Sequence, residues 1–169
     1  MVYIALAVAA VLVGVDQLLK YLVVNNIPEY TSMPFIKIGD FEILNLAYVE
    51  NRGAAFSFLE DKVIFLVIIT SLFLIAGIYL LLSKKVKQPA LIWSFALIIS
   101  GGIGNLLDRI FRGEVLFDGY VVDYLEVKLF NFAVFNFADC CVVIGSIMFL
   151  IYIIFFDKDL KKVKQNGKT

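Results

Sequence analysis

"VFNFADCCVVIGSIMFLIYIIFF", residues 134–156, decides what kind of chain this is. Its apolar run is long enough to cross hydrocarbon as a helix, which takes roughly 20 residues. Yet Asp139 stands at its mouth beside Asn136, where an isolated charge is expensive. A carboxylate brought to that edge needs a structural or a chemical reason.

The pattern repeats through the chain. Apolar stretches at about 2–24, 63–82 and 89–107 are each of spanning length, with the fourth at about 138–156. The sequence is 62% hydrophobic, with mean hydropathy +0.92, against about 45–50% apolar in an average soluble domain. We expect a single integral membrane domain over residues 1–169, with a membrane all-α core of four transmembrane helices. The first stretch reads as a retained helix rather than a signal peptide. It lacks a basic start, and Asp16 and Lys20 interrupt its apolar run.

Lysine sets the expected orientation. Lys84, Lys85 and Lys87 lie in the short link between the second and third helices. Lys158, Lys161, Lys162, Lys164 and Lys168 lie in the tail. Both fall on one side of a four-helix chain, which the positive-inside rule makes cytoplasmic. The N-terminus joins them, and the two longer connections face outward. "MPFIKIGDFEILNLAYVENRGAAFSFL" alternates β-branched and aromatic residues around a Gly39-Asp40 turn and reads as a hairpin. "EVLFDGYVVDYLEVKLFNFAVF" reads similarly, with its turn at Asp118-Gly119. A small extracytoplasmic β-rich layer, about 34–58 and 114–135, is expected on the outer membrane surface.

Composition removes several chemistries. The chain has no histidine, which excludes Ser-His and Cys-His catalysis and histidine metal sites. Its two cysteines, Cys140 and Cys141, are adjacent within the apolar pattern and read as small buried hydrophobes. The polar residues that remain converge at one depth. Asp16 and Lys20 share a face of the first helix as an i,i+4 pair. Asn105, Asp108 and Arg109 close the third helix, and Asn136 and Asp139 open the fourth.

Singly, each residue has a plainer use. Lys20 and Arg109 fit snorkelling anchors, Asp139 fits a helix cap, and "GGIG" (101–104) fits close helix packing. Together they suit either hydrolysis by a carboxylate pair sharing one proton or ion-coupled transport through intramembrane acids. A transport path should continue inward, and no polar ladder does, so hydrolysis is the preferred reading. The alternative is a small four-helix ion- or proton-coupled transporter using Asp16, Asp108 and Asp139.

Five blocks then resemble, in order, the lipoprotein signal peptidases (signal peptidase II), a family of bacterial membrane aspartyl endopeptidases. They are "DQLLK" (16–20), "NRGAAF" (51–56), "GNLLDR" (104–109), "VVDY" (121–124) and "FNFAD" (135–139). The resemblance implies a catalytic dyad of Asp123 and Asp139, the first of which the depth pattern does not find. It implies supporting or substrate-binding roles for Asn51, Gly53, Asn105, Arg109 and Asn136, and a structural polar network of Asp16, Lys20 and Asp108. Tyr124 stands where the family more often has phenylalanine, and Asp118 is a nearby rival acid in an ordinary Asp-Gly turn.

The implied substrate is a prolipoprotein whose cysteine carries diacylglyceryl, cut just before that cysteine. The implied setting is the bacterial inner membrane, with the active site near the outer leaflet and both termini cytoplasmic. A loop within residues 34–58 would cover the cleft. The implied chemistry needs no metal or organic cofactor. Membrane lipids are expected partners, nucleic acid is not, and no oligomer is implied.

Overall fold

The computed structural model describes residues 1–53, 62–129 and 132–156. Ala54, Ala55 and Phe56 of the second block, the end of the expected covering loop and the tail lysines lie outside the described residues. The elements run α1 (Val2–Asn26), β1 (Ser32–Ile38), β2 (Phe41–Asn51), α2 (Val63–Leu82), α3 (Pro89–Phe111), β3 (Val121–Val127) and α4 (Phe137–Phe156). All four helices are long and apolar enough to cross a membrane. Their outward faces expose large side chains such as Phe73, Ile75 and Phe155. Such faces suit hydrocarbon, where apolar contact costs nothing and every backbone polar group must be paired within the helix.

Helix α3 is the hub on which α1, α2 and α4 chiefly pack. One core joins Ala5 and Ala9 of α1, Leu74 and Leu81 of α2, and Ile92, Ala96 and Ile99 of α3. Small residues set the closest approach. A β-carbon added at Gly101 would collide with the Ala138 carbonyl oxygen and sit 2.7 Å from Val142 Cγ2. Gly101→Ala should therefore push α3 off α4 at the level of the first turn of α4. Overpacking of this kind costs about 1–3 kcal/mol. Thermal unfolding in lipid checks it, and an unchanged midpoint would mean that the α3–α4 contact is looser than described.

Helix α3 runs one turn beyond the expected boundary at 107. Hydropathy drops at Asp108 and Arg109, but backbone hydrogen bonding continues because buried partners receive the charges. The first outer connection forms the expected hairpin, β1 antiparallel to β2 about Gly39, whose φ of 60° suits its turn. The second connection departs from expectation, with β3 alone pairing antiparallel to β2 in a sheet ordered β1-β2-β3. The residues before β3 fold back on the end of α3 instead. Phe117 N–H donates to Ile110 O and Gly119 N–H to Arg109 O, at 3.1 and 2.9 Å. These bonds satisfy terminal helix carbonyls, which a hairpin partner for β3 would have left open. A single bridge from Phe135 to Leu125 is the only return pairing among the described residues.

The sheet sits over the end of α1. Val23 and Ile27 pack with Tyr48, Val122 and Tyr124 in a second core. This packing buries the start of β3, while β1 stays exposed along its whole length.

Candidate active site

Four elements meet at one end of the bundle: the last turn of α3, the first turn of α4, the end of β2 and the start of β3. A bulge in β2 between Leu46 and Val49 shifts the register, so that Val49 lies opposite Asp123 and Asn51 opposite Val121. Period-two alternation then leaves Asn51 and Asp123 on one face as diagonal neighbours. Asn51 Nδ2 donates to Asp123 Oδ2 at 2.8 Å.

Asp139 is held by the start of α4 itself. Asp139 N–H donates to Asn136 Oδ1 at 2.9 Å, and Asn136 N–H donates back to Asp139 Oδ2 at 3.1 Å. This is a reciprocal capping box. The cap and the site are therefore the same residue, because the cap occupies one carboxylate oxygen and leaves Oδ1 for Asn105 Nδ2, at 2.7 Å.

Asn136, wholly buried, ties the two aspartates together. Its Nδ2 donates to Asp123 Oδ1 at 2.7 Å and to Asn105 Oδ1 at 3.1 Å. All four carboxylate oxygens of Asp123 and Asp139 thus accept a hydrogen bond from a fixed amide. Burial pushes the Asp123 carboxyl up to about 7. The nearby Asp139 charge adds to that rise, while the Asn51 and Asn136 amides pull against it.

Behind the amides lies the ion cluster. Lys20, fully buried, is 2.9 Å from Asp16 Oδ2 and 2.7 Å from Asp108 Oδ2. Its Nζ also donates to Asn105 Oδ1 at 2.9 Å. Asp16 reaches α4 as well, accepting from Ala138 N–H at 3.0 Å. Two members of this cluster were not found from the sequence. Gln17 Nε2 donates to Gly104 O and Asp108 Oδ1, both at 3.1 Å, and Arg112 Nε lies 2.7 Å from Asp108 Oδ1. Gln17 is three residues from Lys20 on the same face of α1, a spacing that could have flagged it.

A cleft of about 500 Å³ opens on this group. Asn51, Arg109, Asp123 and Asp139 line its polar end, and Val134 and Phe135 just before α4, with Val143 and Ile144 on it, give it an apolar wall. Arg109 Nη2 donates to Gly53 O at 2.8 Å, while its buried Nε has no hydrogen-bond partner among the described residues. Cys140 lines the cleft and is half-buried, so only Cys141 is the buried hydrophobe expected of both. Tyr124 Oη accepts from Phe137 N–H at 3.3 Å, a bond phenylalanine could not make. Asp118 is out on the surface, its side chain 64% exposed and 3.7 Å from Arg52.

Four lipid-length helices carrying a carboxylate-lined cleft define a multi-pass membrane protein with a candidate acid–base site. The family model described as signal peptidase (SPase) II matches residues 8–155. The chain belongs to the signal peptidase II family. It is 38% identical over 157 residues to a lipoprotein signal peptidase of Clostridioides difficile, covering 93% of this chain and 97% of that one. It is 39% identical over 160 residues to a lipoprotein signal peptidase of Enterococcus faecalis, covering 95% and 92%. A solved structure described as a bacterial membrane enzyme superposes with a TM-score of 0.78 at 28% identity, covering 89% of this chain and 87% of that one. A second, described likewise, gives 0.76 at 28% identity. With a peptidase family matched along nearly the whole chain, the transporter reading falls away.

Proposed function

We propose that this chain is an aspartyl endopeptidase that removes the signal peptide from prolipoproteins, cutting before a cysteine that already carries diacylglyceryl. One observation carries the reading: two carboxylates, each with both oxygens held by amides, share the polar end of an otherwise apolar cleft. The apolar wall along α4 suits a signal helix and acyl chains, and the polar end suits the scissile peptide. With Asp123 protonated, Asp139 takes a proton from water as its oxygen attacks the scissile carbonyl carbon. Asp123 supplies the proton that the leaving cysteine amine needs as the C–N bond breaks. Asn51, Asn105 and Asn136 hold the pair, and Arg109 and Gly53 border the substrate. The positive-inside pattern supports cytoplasmic termini in the bacterial inner membrane and a cleft near the outer leaflet.

Purified protein in lipid, given a diacylglyceryl-modified prolipoprotein, should release the signal peptide and leave solute flux unchanged. Flux without a peptide product would overturn the proposal.

The pH dependence has a definite sign. Unfolded, Asp123 ionises near the ordinary 3.8; folded, it ionises near 7. Between these values the folded state holds the extra proton, so the contribution of Asp123 to stability declines as pH rises through that window. Cleavage should fall with an inflection near pH 7 as Asp123 loses its proton. A rate that is flat from pH 6 to 8 would remove Asp123 as the proton donor.

A further inference from the structure

The end of the bundle away from the two aspartates holds a second cavity, of about 370 Å³. It lies between the start of α1, the end of α2 and the start of α3. Leu81, Val86 and Ile92 give it apolar walls, and Lys84 and Lys87 are its charged lining residues. Both lysines are exposed, and neither has an ion-pair partner among the described residues.

Three features make this end attractive to an anion. No aspartate or glutamate occurs before Asp16 or between Lys62 and Leu107. Helix α3 begins beside the cavity with Pro89 in its first turn, no side-chain cap on Gln88 and no acidic residue, so its positive end is uncompensated. Lys84 follows α2 at φ 56°, the left-handed position that glycine usually fills. A side chain kept there at a conformational cost points to a use for that side chain. Lys85, by contrast, is engaged with the Tyr79 ring, 5.3 Å from its centroid.

The depth favours a lipid over a free ion. The 20 residues of α2 end at Leu82, and a helix of that length spans about 30 Å, the thickness of the hydrocarbon core. Lys84 and Lys87 therefore lie at headgroup level, above walls that match an acyl chain. Basic pockets between helices at this level are where anionic headgroups bind. We propose that this cavity holds one phospholipid with an anionic headgroup, its phosphate between Lys84 and Lys87 and an acyl chain against Leu81 and Ile92.

The chain's single tryptophan, Trp93, adjoins Ile92 and serves as the probe. The full chain is placed in phosphatidylcholine vesicles containing a minor fraction of either phosphatidylglycerol or phosphatidylcholine brominated on its acyl chains. The brominated phosphatidylglycerol should quench Trp93 more strongly. Lys84→Gln with Lys87→Gln should remove the excess, at about fivefold weaker binding per lysine, while Lys85→Gln keeps it. An unchanged unfolding midpoint verifies that the double variant is folded. Equal quenching by the two lipids, or an excess that survives the double substitution, overturns the site. Loss of the excess on adding inorganic phosphate would make it a free-anion pocket and overturn the lipid assignment.

Discussion

Asp123→Asn and Asp139→Asn should each abolish cleavage of a diacylglyceryl-modified prolipoprotein, by roughly 10²–10⁴-fold or more, the range that one general acid or base contributes. The substitution removes the titrating proton and keeps the shape, but it is not silent here. Each aspartate accepts amide donors on both oxygens, and asparagine has only one oxygen to offer. One N–H in each variant would then face another N–H; at buried Asp123 this costs about 1–3 kcal/mol, and at half-buried Asp139 less. A loss of activity therefore has to be separated from a loss of fold. The exchange variant, Asp123→Asn with Asn51→Asp, does this, because a carboxylate and an amide remain in contact with their positions reversed. Stability should largely return while cleavage stays lost. Full-rate cleavage by either single variant removes that aspartate from the chemistry.

Lys20→Met should be strongly destabilising. It leaves Asp16 and Asp108, each almost wholly buried, without the cation 2.9 and 2.7 Å away. Breaking one side of a buried pair costs about 3–5 kcal/mol, although Arg112 still reaches Asp108. The effect should also reach the cleft. Lys20 and Asn136 both donate to Asn105 Oδ1, which fixes the Asn105 amide with its nitrogen toward Asp139. Without Lys20 only the Asn136 amide still holds the Asn105 oxygen, so the Asn105 side chain is less firmly fixed against Asp139. Unfolding in lipid should show the lost stability, and adding Asp16→Asn should recover part of it without restoring full cleavage. A Lys20→Met variant as stable as the parent would mean that the cluster is not ion-paired.

The sequence made some of this plain and hid the rest for physical reasons. Hydrophobic length marks helices well, because the bilayer imposes it. It misplaces the end of α3, since Asp108 and Arg109 read as a boundary while buried partners keep them helical. The shared depth of Asp16, Asn105 and Asp139 was visible because helices fix depth through a constant rise. Asp123 was not, because its place depends on a strand register set by a bulge in β2, and nothing local to "VVDY" states it. Only the resemblance drew attention to it. Asp139 suits both a cap and a functional carboxylate in the sequence, and the two oxygens of one side chain allow both uses.

The pairing of Asp16 with Lys20 also bears on biosynthesis. Helices enter a membrane one after another, and α1 is made long before α3 can supply Asp108. A lone lysine or aspartate at that depth would burden the first insertion. Four residues apart on one helix, the two neutralise each other within α1, so the helix carries its own counter-ion into the bilayer. When α3 arrives, Lys20 needs only to take on Asp108 as a second carboxylate.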